Sequence, residues 1–268
     1  MDDLDGFVAP DPEAALGRVV TVLRETASTN DDARRAAAEG APHGAVFVAD
    51  AQTAGRGRLG RAWHSPPGDN LYASILLRPS ALARDLALLP LAAGLAIAEA
   101  VEEVAGVEAT IKWPNDVLVG GRKLAGVLVE GSLRGDRFQH VVVGVGVNVR
   151  GARPPDEVSD VATTLRAAAG RAPSRREVLA RLLARFEARL DALERGRGDE
   201  VIAAVHARCV TLGRRVRVGV DEGVAAAVEA DGGLLVRFDD GRARSVHGSD
   251  GLSLVEPIPR APLGPLGL

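Results

Sequence analysis

The hydrophobic and polar positions in the first three quarters of the chain predict a mixture of strands and helices. Short apolar runs rich in β-branched residues predict strands at 19–24, 45–49, 70–77, 109–113, 117–119, 124–130 and 140–149. The last of these runs is almost continuously apolar, which is typical of a strand in the middle of a covered sheet. We therefore expect the α/β (α+β) class, with a mixed sheet and helices packed on it.

Three segments between these strands carry helical patterns. A short helix is expected at 31–40, capped by Thr29 or Asn30, and a long apolar helix is expected within 86–104. A third helix begins at the capping box Ser174-x-x-Glu177. Its apolar stripe consists of Leu179, Leu182, Leu183, Phe186, Leu190 and Leu193.

The pattern changes after about Thr211, where short β-rich pieces are separated by Gly and Asp at turn spacing. This spacing predicts a small antiparallel barrel of about 45 residues. We expect three parts: a mixed α/β domain at 1–210, a small β domain at 211–256 and a loosely held, Pro-rich tail at 257–268.

Composition narrows the possible partners. The net charge is −3, from 33 basic and 36 acidic residues, which disfavours nucleic acid as the main partner. A lone cysteine, Cys209, excludes an internal disulfide and multi-cysteine metal sites, and it fits a reducing cytoplasm. The most apolar stretch, 86–104, contains Pro90 and three glutamates, so no membrane span is expected.

The basic residues are distributed unevenly between lysine and arginine. Only two of the 33 are lysines, Lys112 and Lys123, and both lie in one short segment. In a chain that uses arginine elsewhere, a retained lysine suggests a site that needs a compact ammonium, although two neighbouring lysines can also arise by chance.

Residues 54–63 (AGRGRLGRAW) form a glycine–arginine loop. They match the spacing G-x-G-x-x-G, but no helix follows and Arg78 lies where a dinucleotide site needs an acid. The remaining candidates are a solvated basic loop and an anion-binding loop whose backbone approaches its ligand closely. We expect the loop to be disordered without ligand. The residues concerned are Gly55, Arg56, Gly57, Arg58, Gly60 and Arg61.

Two further segments bring polar groups to strand ends. Residues 112–116 (KWPND) place an aromatic ring, an amide and a carboxylate at a strand break, with Lys123 beginning the next strand. Both lysines can then face one cleft, although Asn115 and Asp116 also suit an ordinary turn. Residues 28–30 (STN) suit either a helix cap or a polar binding edge.

These segments resemble, in order and spacing, those of the biotin–protein ligases. The resemblance covers about 19–256 and rests on ETASTNDDA, GRGRLGRAW, KWPND, GRKLAGVLVE and VVVGVGVNV. It implies a class II synthetase-like catalytic domain followed by a small SH3-like domain. It also implies ATP-dependent formation of biotinyl-5′-AMP, and transfer of biotin to a lysine of a biotin carboxyl carrier protein domain.

The resemblance also implies roles for individual residues. The biotin-binding residues would be Ser28, Thr29, Asn30, Gln52, Gly55, Arg56, Arg58, Lys123 and Gly126. The ATP and adenylate contacts would be Arg58, Arg61, Trp63, Asn115, Lys123 and Asn148, with an adenylate-binding loop at 150–164. Lys123, Arg58 and Asp116 would be catalytic.

ATP and Mg²⁺ are the expected cofactors, with the ligands of Mg²⁺ left open. We expect no nucleic-acid or membrane partner, and a monomer or weak homodimer. The short segment before the first strand predicts no DNA-binding domain and hence no repressor role. The alternatives are a lipoate–protein ligase with the same adenylation chemistry, a biotin sensor without turnover, and an RNA-binding protein that uses the glycine–arginine loop.

Overall fold

The computed structural model describes residues 3–9, 11–78, 86–134, 137–151, 161–248 and 251–261. A seven-stranded sheet has the strand order β1-β2-β3-β7-β6-β5-β4, with β1 parallel to β2 and every other neighbouring pair antiparallel. Its strands are β1 (Val20–Thr26), β2 (Val46–Gln52), β3 (Leu71–Leu77), β4 (Ala109–Lys112), β5 (Asp116–Val119), β6 (Arg122–Arg134) and β7 (Arg137–Val147). The mixed sheet confirms the predicted fold class.

Five helices accompany the described part of this sheet: α1 (Thr29–Ala38), α2 (Leu89–Ala105), α3 (Leu165–Ala169), α4 (Arg175–Glu194) and α5 (Gly198–Arg208). The capping box at Ser174 is present as predicted. The predicted cap of α1 is wrong, because Ser28 is its extended N-cap and makes no side-chain cap hydrogen bond. The sequence patterns also missed α3 and α5.

Successive residues of a strand face opposite sides of the sheet, and the two sides are covered unequally. Val48, Ile75 and Val143 belong to the large core that includes α2 and α4. Their chain neighbours Phe47, Leu76 and Val142 face the other way and form a small cluster with Ala33 and Ala37 of α1. Because α1 is short, it leaves part of its face of the sheet for other groups.

A second sheet has five antiparallel strands in the order β11-β10-β9-β8-β12. The strands are β8 (Arg215–Val218), β9 (Asp221–Val228), β10 (Leu234–Phe238), β11 (Ala243–Val246) and β12 (Leu252–Leu254). This confirms the small β unit expected after Thr211, whereas the domain boundaries stay a prediction. The buried Trp113 joins the two sheets, because its Nε1 donates to the Gly232 carbonyl at 3.0 Å.

The Pro-rich tail is not loosely held over the part that the structure describes. The amide of Ala261 donates to the Gly120 carbonyl at 3.0 Å, and Arg122 donates to the Ala261 carbonyl at 2.6 Å. The predicted tail therefore packs on the turn between β5 and β6 up to Ala261; residues 262–268 lie outside the described residues. No helix among the described residues is long and apolar enough to span a membrane.

Candidate functional site

The floor of the candidate site is built by strand register. Tyr72 of β3 pairs with Gly146 of β7, which pairs with Gly126 of β6, which in turn pairs with Asp116 of β5. Cross-strand partners share a face, so two adjacent glycines leave a shallow depression between Tyr72 and Asp116. The depression lies on the face of the sheet that α1 only partly covers.

The indole of Trp63 lies on this glycine floor. A Cβ atom at Gly146 would collide with the indole, and one at Gly126 would lie 3.2 Å from Trp63 Cζ3. The ammonium of Lys123 is 5.3 Å from the ring centroid, within the range of a cation–π contact. Trp63 Nε1 is buried without a hydrogen-bond partner among the described residues.

One end of the cleft is made of neutral polar groups that hydrogen-bond to each other. The backbone amide and the hydroxyl of Thr29 lie 3.0 and 3.2 Å from Gln52 Oε1, and Gln52 Nε2 donates to Ser65 Oγ at 2.9 Å. The Ser74 hydroxyl lies 2.7 Å from Thr29 Oγ1 and 2.6 Å from Asn30 Oδ1. We call this set, together with Ser28, the neutral end of the cleft.

The opposite end carries charge. Lys123 Nζ lies 2.6 Å from Asp116 Oδ1, and Arg58 Nη1 donates to Asn115 Oδ1 at 2.8 Å. The second Nη of Arg58 donates to the carbonyl of Gly248, which follows β11. Burial lowers the pKa of the Arg58 guanidinium, which nevertheless keeps its charge at neutral pH. We call the side chains of Lys123, Asp116, Arg58 and Asn115 the charged end of the cleft.

The glycine–arginine loop folds back on itself beside the cleft. Trp63 donates its amide to the Gly55 carbonyl at 2.9 Å, and Gly57 donates to the Arg61 carbonyl at 2.7 Å. A Cβ atom at Gly55 would lie 2.6 Å from the Trp63 carbonyl, so this position requires glycine. The loop tip, Leu59, is exposed and has φ 57°, the left-handed conformation that non-glycine residues rarely adopt.

Arg56 is paired with carboxylates, unlike Arg58. Its two Nη atoms lie 2.7 and 2.8 Å from the two carboxylate oxygens of Asp31, and Nη2 lies 3.5 Å from Glu130 Oε2. The hydrogen bond from Arg56 is the largest cause that lowers the pKa of Asp31, from 3.8 to about 2. Among the described residues, Arg58 forms no ion pair within 4 Å.

Most of the predicted site residues come together here. The cleft has a volume of about 480 Å³, including space open to solvent. The predicted residues that line it are Ser28, Thr29, Asn30, Gln52, Arg56, Arg58, Trp63, Asn115, Lys123 and Gly126. Asp116 adjoins it through Lys123, and Gly55 shapes the loop without lining the cleft.

Three further expected residues do not line this cleft. Arg61 is exposed on the loop, and Lys112 lies outside the lining although its partner in the strand register is Asp116. The side-chain amide of Asn148 donates to the Thr163 carbonyl at 3.1 Å, which ties the end of β7 to the segment before α3. Most of the predicted adenylate-binding loop, residues 152–160, lies outside the described residues.

The structure adds residues that sequence reasoning missed. Ser74, Gly144, Gly146 and Glu130 are functional candidates because they line the cleft or contact residues that do. Strand alternation could have found them: Gly126, Leu128 and Glu130 share one face of β6. No local sequence pattern indicated that a residue beside the second sheet, such as Gly248, would contact the site.

A second cleft of about 750 Å³, including space open to solvent, adjoins the charged end. It is lined by Arg58 and Asn115 and by apolar residues of the α2 and β6 segments. Its far wall comes from the second sheet and includes Asp231, His247 and Gly248. The charged end therefore opens toward a larger space between the two sheets.

The described residues contain no group of three or more His, Cys, Asp or Glu side chains that could hold a metal ion. Asp116 is the carboxylate nearest to Lys123 and is paired with it, while Asp31 and Glu130 are paired with Arg56. This donor set fits a magnesium ion held mainly by the phosphates of a nucleotide, with at most one protein carboxylate.

In this arrangement the Trp63 indole lies over the glycine floor, between a neutral and a charged end of the cleft. Lys123, Arg58 and Asn115 suit oxygen atoms of carboxylates or phosphates, because they provide one ammonium, one guanidinium and one amide. A group that carries both a polar neutral ring and an anionic terminus would match both ends.

Comparison with known proteins agrees with this geometry. Residues 21–148 match the model of the biotin/lipoate A/B protein ligase family. The chain is 36% identical over 230 residues to the bifunctional ligase/repressor BirA of Bacillus subtilis, covering 83% of this chain and 70% of BirA. It is 40% identical over 211 residues to the biotin–[acetyl-CoA-carboxylase] ligase of Mycobacterium tuberculosis, covering 77% of this chain and 76% of that one.

Solved structures show the same likeness in three dimensions. The biotin protein ligase of Aquifex aeolicus in complex with biotin and ATP superposes with a TM-score of 0.77 at 34% identity. The match covers 88% of this chain and 98% of the Aquifex chain.

Proposed function

Since the chain belongs to the biotin/lipoate A/B protein ligase family, we propose that it is a biotin–protein ligase. It activates biotin with ATP to biotinyl-5′-AMP and transfers biotin to a lysine of a carboxyl carrier protein domain of acetyl-CoA carboxylase. The observation that carries the proposal is one cleft with a neutral end and a charged end, in a chain 40% identical to a biotin–[acetyl-CoA-carboxylase] ligase.

The neutral end binds the ring system of biotin. Its ureido group has N–H donors and a carbonyl acceptor, and the interlocked hydroxyls and amides of Ser28, Thr29, Asn30 and Gln52 offer both kinds of partner. The Trp63 indole, which lies over Gly126 and Gly146, offers a flat face to the ring system. The buried position of these groups supports a binding role, because buried polar groups give discrimination between ligands.

The charged end performs the adenylation. A carboxylate oxygen of biotin attacks the α-phosphorus of ATP, a new P–O bond forms, and the bond to pyrophosphate breaks. Two anions must approach each other, so the site works by positioned positive charge. Lys123 and Arg58 provide this charge, and Asn115 orients Arg58. Trp63, Arg61 and Asn148 serve the nucleotide.

In the second step the amine of the acceptor lysine attacks the carbonyl carbon of the mixed anhydride. An amide bond forms, AMP leaves with the electron pair of the broken C–O bond, and the amine loses a proton. Asp116 accepts this proton, and its ion pair with Lys123 places it beside the reacting group. The second cleft gives the acceptor lysine its route to the anhydride.

Magnesium accompanies ATP in this proposal. When bound, it would neutralise phosphate charge, and Asp116, the carboxylate beside Lys123, would be the side chain available to hold it. A cytoplasmic location, and a monomer or weak homodimer without a nucleic-acid partner, stay predictions.

The test measures pyrophosphate release with ATP and either biotin or lipoate, followed by transfer to a carrier protein domain. With ATP present, we expect pyrophosphate release with biotin and not with lipoate. We also expect a carrier domain to be labelled, and this labelling to be lost when the acceptor lysine is replaced by arginine. Release with lipoate but not biotin would establish the lipoate ligase alternative. Tight, salt-sensitive RNA binding without adenylation would overturn the enzyme assignment.

A further inference from the structure

The first two arginines of the glycine–arginine loop, Arg56 and Arg58, have different surroundings. Arg56 makes a bidentate pair with Asp31, at 2.7 and 2.8 Å, and lies 3.5 Å from Glu130. Arg58 instead donates to the neutral oxygens of Asn115 and Gly248. The carboxylates have therefore already neutralised Arg56, whereas the charge of Arg58 remains available for an anion.

The partners of Arg56 belong to the elements that form the neutral end. Asp31 lies in the first turn of α1, two residues after Thr29. Glu130 lies on β6, on the same face as Gly126 and Leu128, and its Oε2 accepts a hydrogen bond from Asn30 Nδ2 at 2.6 Å. The ion pairs thus connect the loop directly to the helix and strand that hold the polar groups of the cleft.

A third basic residue completes the cluster. Arg34, one turn further along α1, pairs with Asp31 and lies 3.9 Å from Glu130 Oε1. Two carboxylates therefore meet two guanidiniums on one side of the cleft. Networks and bidentate pairs of this kind hold a geometry better than isolated exposed pairs do.

We propose that Asp31 and Glu130 are positioning residues that hold the glycine–arginine loop closed over the cleft through Arg56. The inference deepens the proposed function, on which it rests, by separating the loop's anchor from its ligand-binding charge. In this account Arg56 fixes the loop and Arg58 meets the anionic group of the ligand. These ion pairs raise the closed population of the loop, against the disorder expected from its glycine content.

The first experiment measures loop opening without any ligand. Trypsin cleaves after Arg58 and Arg61 only when the loop opens, so the initial cleavage rates at these two bonds, read by mass spectrometry, follow the open population. Asp31→Asn is expected to raise both rates about fivefold, the size of effect that a good partly exposed ion pair gives. Glu130→Gln is expected to raise them less, because its contact with Arg56 is longer.

Control variants separate positioning from general destabilisation. Glu39→Gln removes an exposed carboxylate near the end of the same helix and is expected to leave both cleavage rates unchanged. Arg56→Gln removes the contacts to both carboxylates, so it should raise the cleavage rates at least as much as Asp31→Asn does. Adding Asp31→Asn to Arg56→Gln should have little further effect, because Asp31 acts through the guanidinium. Melting temperatures identify any variant that is globally unfolded.

The second experiment measures adenylation by the same variants. A loop that closes less often is expected to raise KM for biotin about fivefold while kcat stays that of the wild type. The inference is overturned if Asp31→Asn leaves both cleavage rates unchanged, or if its effect is equally large in the Arg56→Gln background. Since proteolysis needs no ligand, loss of loop protection in a chain that adenylates nothing would contradict the proposed function and still support this inference.

Discussion

The two ends of the cleft differ in how their polar groups are satisfied. At the neutral end, Thr29, Asn30, Gln52 and Ser74 hydrogen-bond to one another, and Ser74 is fully buried. At the charged end, Lys123 is one third exposed and, in the part of the chain that the structure describes, pairs with one carboxylate, Asp116. The first end is a fixed template, whereas the second contains charges that can exchange partners when an anion arrives.

This difference assigns separate tasks to the two ends. A fixed network of neutral groups discriminates between ligands, because a wrong ligand leaves buried groups without partners. Charges with few partners stabilise a transition state, because they are placed where negative charge develops. Changes at the neutral end should therefore affect biotin binding, and changes at the charged end should affect the chemical step.

The largest effect is expected at Lys123. Lys123→Ala should lower the rate of adenylate formation at saturating biotin by about a hundredfold or more, because it removes the ammonium nearest to the reacting groups. Lys123→Arg should also be poor, because a planar guanidinium does not replace a compact ammonium. The measurement is single-turnover adenylation, with circular dichroism to confirm folding. Full activity in Lys123→Arg would contradict the role of the retained lysine.

A smaller but distinctive effect is expected at Arg58. Arg58→Gly should release biotinyl-5′-AMP before transfer, so that serum albumin added as a bystander becomes biotinylated about tenfold faster than with the wild type. Self-labelling is an insensitive readout, since the chain contains only Lys112, Lys123 and its N-terminal amine. Arg195→Gly, at an exposed arginine that lines neither cleft, is the control. Equal bystander labelling by Arg58→Gly and the wild type, with adenylate still formed, would show that Arg58 does not retain the intermediate.

The glycine floor joins the two ends, and it gives the next prediction. Gly146→Ala places a methyl group where the Trp63 indole lies, so the indole must move. We expect biotin affinity to fall about tenfold and the intrinsic fluorescence of the protein to change. Gly94→Ala is the control, because its added Cβ meets only Val117, at 4.0 Å, and Gly94 does not line the cleft. An unchanged affinity in Gly146→Ala would mean that the Trp63 indole does not contact the ligand.

The smallest change concerns the titration of Asp31. Its pKa is lowered from 3.8 to about 2, so its contribution to stability is complete above about pH 4 and is lost as the pH falls toward 2. Carbon-13 NMR of the Asp31 carboxyl group should give a midpoint near 2, and Arg56→Gln should move this midpoint toward 3.8. A midpoint of 3.8 in the unsubstituted protein would show that the Asp31–Arg56 pair is not formed.

Local sequence patterns anticipated much of the fold and most of the cleft. Strand periodicity placed the seven strands of the first sheet, because their apolar runs are bounded by clear turn residues. The capping box at Ser174 located α4 correctly. Unusual residues in a single segment, above all Lys123 and Asn115, pointed to the charged end, because residue chemistry is visible in a sequence.

What sequence reasoning missed depends on long-range contacts. Thr29 and Asn30 looked like helix caps, but in the fold they meet Ser74, which is more than forty positions away along the chain. In the sequence, Arg56 looked like an anion ligand. Its pairing with Asp31 and Glu130 was not visible there, because it requires the loop to fold back onto α1 and β6. Gly248 reaches Arg58 across 190 positions, and no local pattern indicates such a contact.

The most direct test of the central claim compares Ser74→Ala with Lys123→Ala in single-turnover adenylation over a range of biotin concentrations. Ser74→Ala removes the hydroxyl shared by Thr29 and Asn30, so it should raise the biotin concentration for half-maximal rate about fivefold and leave the maximal rate unchanged. Lys123→Ala should lower the maximal rate. If Ser74→Ala lowers the maximal rate as much as Lys123→Ala does, the two ends do not have separate tasks and the account is wrong.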